Sequence, residues 1–361
     1  MLPPADVSRA IHLVRQLPDQ SPALWPGFEP NGIPLLVYDG EWTWLDGAAP
    51  QEPGWIPEGA CWRRSGRHPA LTAHTAVTLP GGTVAAGVLL PLLGTVNAAK
   101  LASILVHEAF HVYQGANPSV AWAADELAAL TYPAADADVL HARAEETRGL
   151  AQALAGEGWV EAAWHALHWR QLRHARLGED HTLFETRMET TEGLAHYVES
   201  RFLDVFPHLN AEQAAAQTAW AWAYGSGAAL AHLLDHTSKN WQAEVLMGTP
   251  LHELLAARFG PPLTSPLPTP SLRLAAQEAA QAHAERLRML KDAFHAQGGQ
   301  RLTLDCASRL TVAGFDPLNL HALESGCVLH TRFLKVYDEG LSALTMTGGM
   351  ALAHGNGPLN V

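Results

Sequence analysis

The chain has 361 residues, 48% of them hydrophobic and 16% charged, which allows a large core and excludes wholesale disorder. A formal net charge of -13 excludes a sequence-independent nucleic-acid binder, which needs a basic face to displace counterions. Cys61, Cys306 and Cys327 are scattered and form no CxxC pair, so neither a thiolate metal site nor a disulfide framework is expected.

The opening residues lack the basic and apolar regions of a secretory leader, and no uncharged apolar run reaches the roughly 20 residues of a membrane span. A cytoplasmic protein without a membrane partner is therefore expected. The first ninety-odd residues are rich in Gly, Pro and Trp, with short β-compatible runs at 33–38, 60–63, 72–79 and 83–90. Pro80-Gly81-Gly82 separates the last two runs and predicts a hairpin. From Asn97 to about Phe259 the composition turns helical. A proline-rich stretch at 260–270 then precedes a helix at 272–297, stopped by Gly298-Gly299, and β-like runs at 301–306, 327–337 and 341–347. The expected class is α+β: a β-rich part over 1–96, a helical core over 97–260 and a small accessory module over 261–361.

His107-Glu108-Ala109-Phe110-His111 is an HExxH motif. On a helix, residues four apart lie one above the other, so two imidazoles can share one tetrahedral metal with Glu108 beside the open position. Asn97 is placed to cap such a helix, Leu101, Ile104, Leu105 and Val112 give it an apolar stripe, and Gly115 with Pro118 can end it. Imidazole and carboxylate donors in a four-coordinate site suit one zinc ion. A third ligand is needed. Gln114 and Asn117 stand where the metzincin pattern requires Gly and His, so that class is excluded. A second helix through residues 185–201 carries Glu185, Glu189, Glu192, His196 and Glu199 at spacings of three or four, a polar stripe whose mutual repulsion a bound cation would relieve. Asp125 and Glu126, nearer in sequence, and Glu189 remain open as alternative ligands.

Glu192-Gly193-x-x-x-Tyr197-x-Glu199 resembles the EGxxxYxE signature of gluzincin metallopeptidases, the aminopeptidase N-like and thermolysin-like group. The resemblance implies a zincin-like fold, with Glu192 as third zinc ligand and Glu199 as the carboxylate that orients a zinc-bound histidine. It leaves His196 to line the pocket and Gly193 to pack closely on the motif helix. Tyr224-Gly225-Ser226-Gly227-Ala228 resembles the family's YxxGA stretch, which makes Tyr224 the expected oxyanion donor. The match covers about 130 residues and departs from the family in two ways. About eighty residues separate His111 from Glu192, where relatives have about twenty, so the interval 121–179 reads as an inserted helical hairpin. No GxMEN element is present, so exopeptidase activity is not implied.

The expected function is zinc-dependent hydrolysis of a peptide or protein substrate, with Glu108 as general base and the run 83–90 as the strand that pairs with extended substrate. An inactive zincin-like scaffold and a zinc hydrolase of another amide or ester are the alternatives.

Overall fold

A computed structural model describes residues 4–17, 23–122, 124–125, 128–129, 131–156, 158–237, 239–259 and 265–298, and the segments 311–315, 319–323, 327–337, 344–347 and 350–354. The protein is α+β: a mixed sheet near the N-terminus leads into a mainly helical core.

Helix α1 (Pro4–Arg15) precedes six strands: β1 (Leu35–Tyr38), β2 (Trp42–Asp46), β3 (Ile56–Glu58), β4 (Cys61–Ser65), β5 (Thr75–Thr78) and β6 (Val84–Leu89). Their order is β3-β4-β2-β1-β6-β5, antiparallel except for the β1–β6 pair. Both faces of the sheet are covered. Leu35, Val37, Ala86 and Val88 pack with α1 and the first core helix, whereas Leu36, Leu45, Val77 and Ala85 form a smaller cluster behind. Thr78 faces Val84 across the expected hairpin, whose tip has Gly81 at φ 90° and Gly82 at φ 84°, a region that glycine enters without steric penalty.

The hairpin corrects one expectation. Strand β6 is hydrogen-bonded on both sides, by β1 and β5, so the run 83–90 has no free edge for a substrate. The edge strand beside the motif helix is β5.

Helix α2 (Ala98–Ala116) carries the HExxH motif, and Asn97 caps it by accepting the Lys100 N–H at 2.8 Å. Its middle is buried: Leu101, Leu105, Val106, Ala109 and Phe110 are inaccessible to solvent. Helices α3 (Ala137–Leu154) and α4 (Trp159–Arg176) form the helical hairpin between the two motif segments.

The next helix is continuous but not uniform. It runs as α5 (Glu179–Met188), a π-helical turn (Glu189–Gly193) and α6 (Leu194–Leu203). The short α7 (Ala211–Ala214) leads to α8 (Ala219–Asp235), which crosses the π turn at two glycines. A Cβ on Gly193 would lie 2.6 Å from Gly227 Cα, and one on Gly227 would lie 2.5 Å from the Glu189 carbonyl oxygen. Gly193 thus permits close packing on α8, not on the motif helix as expected.

Helices α9 (Trp241–Leu246) and α10 (Leu251–Phe259) complete the core. Helix α11 (Pro270–Ala296) follows the proline-rich stretch, and its first half lies on the core: Leu272, Ala276 and Ala280 pack with Leu140 and Ala144 of α3. Beyond it come two three-stranded sheets built from β7 (Thr311–Phe315), β8 (Leu320–Leu323), β9 (Cys327–His330), β10 (Phe333–Tyr337), β11 (Leu344–Thr347) and β12 (Ala351–His354). The run expected at 327–337 is two strands, β9 and β10, and the one expected at 301–306 lies outside the described residues, as does Cys306. No described helix is long and apolar enough to cross a membrane.

Candidate metal centre

Four elements converge beside the sheet. Helix α2 supplies His107, Glu108 and His111; the π turn and α6 supply Glu192, His196 and Glu199; α8 supplies Tyr224; and His74, just before edge strand β5, lies close enough to feel the charge of His107. His107 Nε2 and His111 Nε2 lie 3.2 Å apart, and Glu192 Oε2 lies 3.2 Å from His111 Nε2 and 3.6 Å from His107 Nε2. A tetrahedral ion with bonds of about 2.0–2.1 Å holds its ligand atoms roughly 3.3 Å apart. The three donors therefore stand at the spacing of one shared ion, and this trio is a group able to hold a metal. Glu192 Oε2 is buried and accepts no hydrogen bond, so a lone pair faces the gap between the rings.

Both rings are held with Nε2 inward. His111 Nδ1 donates to Gln114 Oε1 at 2.7 Å, and the Gln114 amide donates in turn to the Thr191 carbonyl at 3.0 Å, in the π turn. His107 Nδ1 lies 3.3 Å from Glu199 Oε2. That carboxylate is fixed by Lys100 Nζ at 2.6 Å, Ser103 Oγ at 3.1 Å and His196 Nδ1 at 3.0 Å. Partners of this kind set the tautomer and orientation of a ligating imidazole.

The electrostatics are those of a negative pocket. Burial opposes charge on His107, but the carboxylates of Glu192 and Glu199 outweigh it and push its pKa up to about 10. Glu192 and Glu199 are held well below the usual carboxylate range: burial acts against this, and the attraction of the facing histidines prevails. Glu108 is buried with Oε2 unpartnered, and burial raises its pKa while His107 and His111 pull it back. The Tyr224 ring stacks on His107 with centroids 5.8 Å apart and planes 6° apart. Burial and the charge of Glu192 raise its pKa, so the hydroxyl keeps its proton and remains a donor.

The acidic stripe divides in two. Glu185 and Glu189 do not face the motif helix. Glu185 is paired with Arg173, and Glu189 with Arg170 at 2.5 Å and Ser226 Oγ at 2.6 Å. Glu189 is therefore engaged away from the histidines. Asp125 is exposed and belongs to no metal-holding group among the described residues, and Glu126 lies outside them.

Gln114, Lys100, Ser103 and His74 were not anticipated from sequence. Gln114 is three residues from His111 on one helix, a spacing that brings side chains together and was legible. Lys100 and Ser103 lie on α2 with His107, but only tertiary packing brings Glu199 to them, and His74 reaches the site the same way. Comparison with models of known families, with curated proteins and with solved structures finds no match.

Proposed function

We propose that the chain is a zinc-dependent peptidase with a zincin-like catalytic unit. The observation that carries this reading is the His107–His111–Glu192 trio at 3.2–3.6 Å with the buried carboxylate of Glu108 next to it in sequence. Two imidazoles and one carboxylate leave the fourth tetrahedral position open, the arrangement of catalytic and not structural zinc. When bound, the ion supplies a Lewis acid that polarises a carbonyl and acidifies water.

The protein's own groups do the rest. Glu108, its pKa raised by burial, takes a proton from the attacking water and returns it to the leaving amine nitrogen. The protonated Tyr224 hydroxyl donates to the developing oxyanion. Glu199 and Gln114 keep the two rings oriented through their Nδ1 atoms. The outward backbone groups of β5, at the sheet edge beside α2, suit an extended peptide.

Glu108→Gln preserves shape and removes the base. Zinc content by metal analysis should match the wild type, and cleavage of a quenched peptide library should fall about 10²–10⁴-fold. Undiminished cleavage by a variant of verified purity would overturn the assignment.

A further inference from the structure

The opposite side of α6 carries a different feature. At 100° per residue, Tyr197 and Arg201 point roughly 140–180° away from Glu192 around the helix, and Asp204 caps its end. A cavity of about 520 Å³ opens there, between the C-terminal end of α6, the last turns of α8 and Leu24. That is the size of a small-molecule site.

Its polar groups are fixed and incompletely used. Arg201 Nη1 donates to the Tyr197 hydroxyl at 3.0 Å and lies over that ring, yet no described carboxylate pairs with it. The same hydroxyl donates to Asp235 at 2.8 Å, and Trp241 Nε1 donates to Asp235 at 3.0 Å. A cation and an anion thus flank one hydroxyl, both oriented by it. His232 is only 7% exposed and lines the cavity. Ser200 Oγ gives its proton to the Tyr197 carbonyl at 2.8 Å, so His232 donates to Oγ from Nε2 at 2.7 Å and keeps a lone pair on Nδ1. Burial pushes its pKa down to about 4, in keeping with a neutral ring.

Two further residues stand at the rim. Asp204 is the sole described non-glycine residue with positive φ, at 54°. As the left-handed cap that ends α6, it places a carboxylate at the cavity rim. Phe206 stands 54% exposed with its ring edge on His232. Exposed charge alone would not require so much apolar surface beside it.

We propose that this cavity binds a zwitterionic α-amino acid with an apolar side chain. Its carboxylate would sit on Arg201, its ammonium on Asp235, Asp204 and the His232 lone pair, and its side chain on Phe206 and Leu24. The site uses none of the groups assigned to catalysis and stands whether or not the chain is a peptidase.

Isothermal titration of the full chain with L-leucine tests this, with N-acetyl-L-leucine, which lacks the ammonium, and L-leucinamide, which lacks the carboxylate. L-Leucine should bind with one-to-one stoichiometry, and each analogue at least about ten-fold more weakly, because a charge-assisted hydrogen bond is lost. Arg201→Met should weaken L-leucine by about ten-fold or more. Asp204→Gly, compatible with the backbone, should weaken it without lowering the melting temperature, which keeps the test valid if Arg201→Met fails to fold. Zinc-loaded and chelator-treated protein should bind alike. No binding of L-leucine, equal binding of the analogues, full binding by the variants, or binding that disappears with the metal would each overturn the proposal.

Discussion

Replacing Gly227 with alanine tests how the helix crossing sets the candidate metal centre. The new methyl would sit 2.5 Å from the Glu189 carbonyl oxygen and 2.8 Å from Gly193 Cα, where ordinary contact begins at 3.4 Å. Both atoms are backbone, so no rotamer change relieves the clash, and α8 must separate from the π turn by roughly 1 Å. Alanine gains about 1 kcal/mol of helix propensity, and overpacking loses about 1–3 kcal/mol, so the variant should be up to about 2 kcal/mol less stable. Helix α8 is boxed in by α3, α5 and α10, so part of the shift falls on the turn that carries Glu192. Ligand atoms tolerate displacements of only about 0.2 Å, so zinc affinity should fall by about ten-fold or more. Gly225→Ala is the control: its methyl meets only the end of the flexible Leu209 side chain, at 2.9 Å. Urea unfolding and competition with a chromogenic chelator read both effects. If Gly227→Ala matched Gly225→Ala in stability and in zinc affinity, the crossing would not position the site.

Gln114→Leu removes the acceptor that orients His111 and should lower zinc affinity about 10–100-fold with an unchanged circular dichroism spectrum; equal affinity would show that the His111 ring needs no such partner. Arg170→Met leaves Glu146 and Glu189 without their shared buried cation and should destabilise the fold by about 3–5 kcal/mol in urea unfolding, a loss below about 1 kcal/mol being incompatible with the pairing. In the metal-free protein, proton and zinc compete for His107, whose pKa is pushed up to about 10, so apparent zinc affinity should rise with pH towards that value. The folded-state pKa is the raised one. The stability contributed by this proton is therefore complete below the unfolded histidine value of about 6.5 and is lost as pH rises through about 10. Titrations in buffers of different ionisation enthalpy should detect proton release on zinc binding near pH 8; a pH-independent affinity over that range would refute the assigned charge.

What could be read from sequence was local. Asn97, the apolar positions and the i, i+4 histidines of α2 all lie within one helix, and periodicity exposes them. The β5–β6 hairpin was legible from its Pro-Gly-Gly turn. The order of the sheet was not, because it depends on the parallel β1–β6 pairing across 50 residues of chain, so the edge was assigned to the wrong strand. Two elements were missed although their signals were present. Val7, Ala10, Ile11 and Val14 mark one face of α1, and Asp39-Gly40 separates β1 from β2, but the surrounding glycines, prolines and tryptophans obscured both. The close approach of Gly193 to α8 could not be predicted, since the partner glycine lies 34 residues further along the chain.

The acidic stripe shows why charge bookkeeping needs the tertiary structure. In sequence its carboxylates look alike. In the fold, Glu146, Glu185 and Glu189 meet Arg143, Arg170 and Arg173, three buried charges of each sign, and that cluster is neutral without help. On the side facing α2, Glu108, Glu192 and Glu199 meet one permanent cation, Lys100. A deficit of two positive charges in a buried pocket is expensive. In the metal-free protein it is partly met by the elevated pKa of Glu108 and by the proton on His107. A divalent cation among His107, His111 and Glu192 meets it in full and lets His107 return to the neutral ring that ligation requires. The same arithmetic distinguishes Glu192 from Glu189 as a ligand: the second already has its permanent counter-charge in Arg170, and the first has only the facing histidines and what a metal would bring.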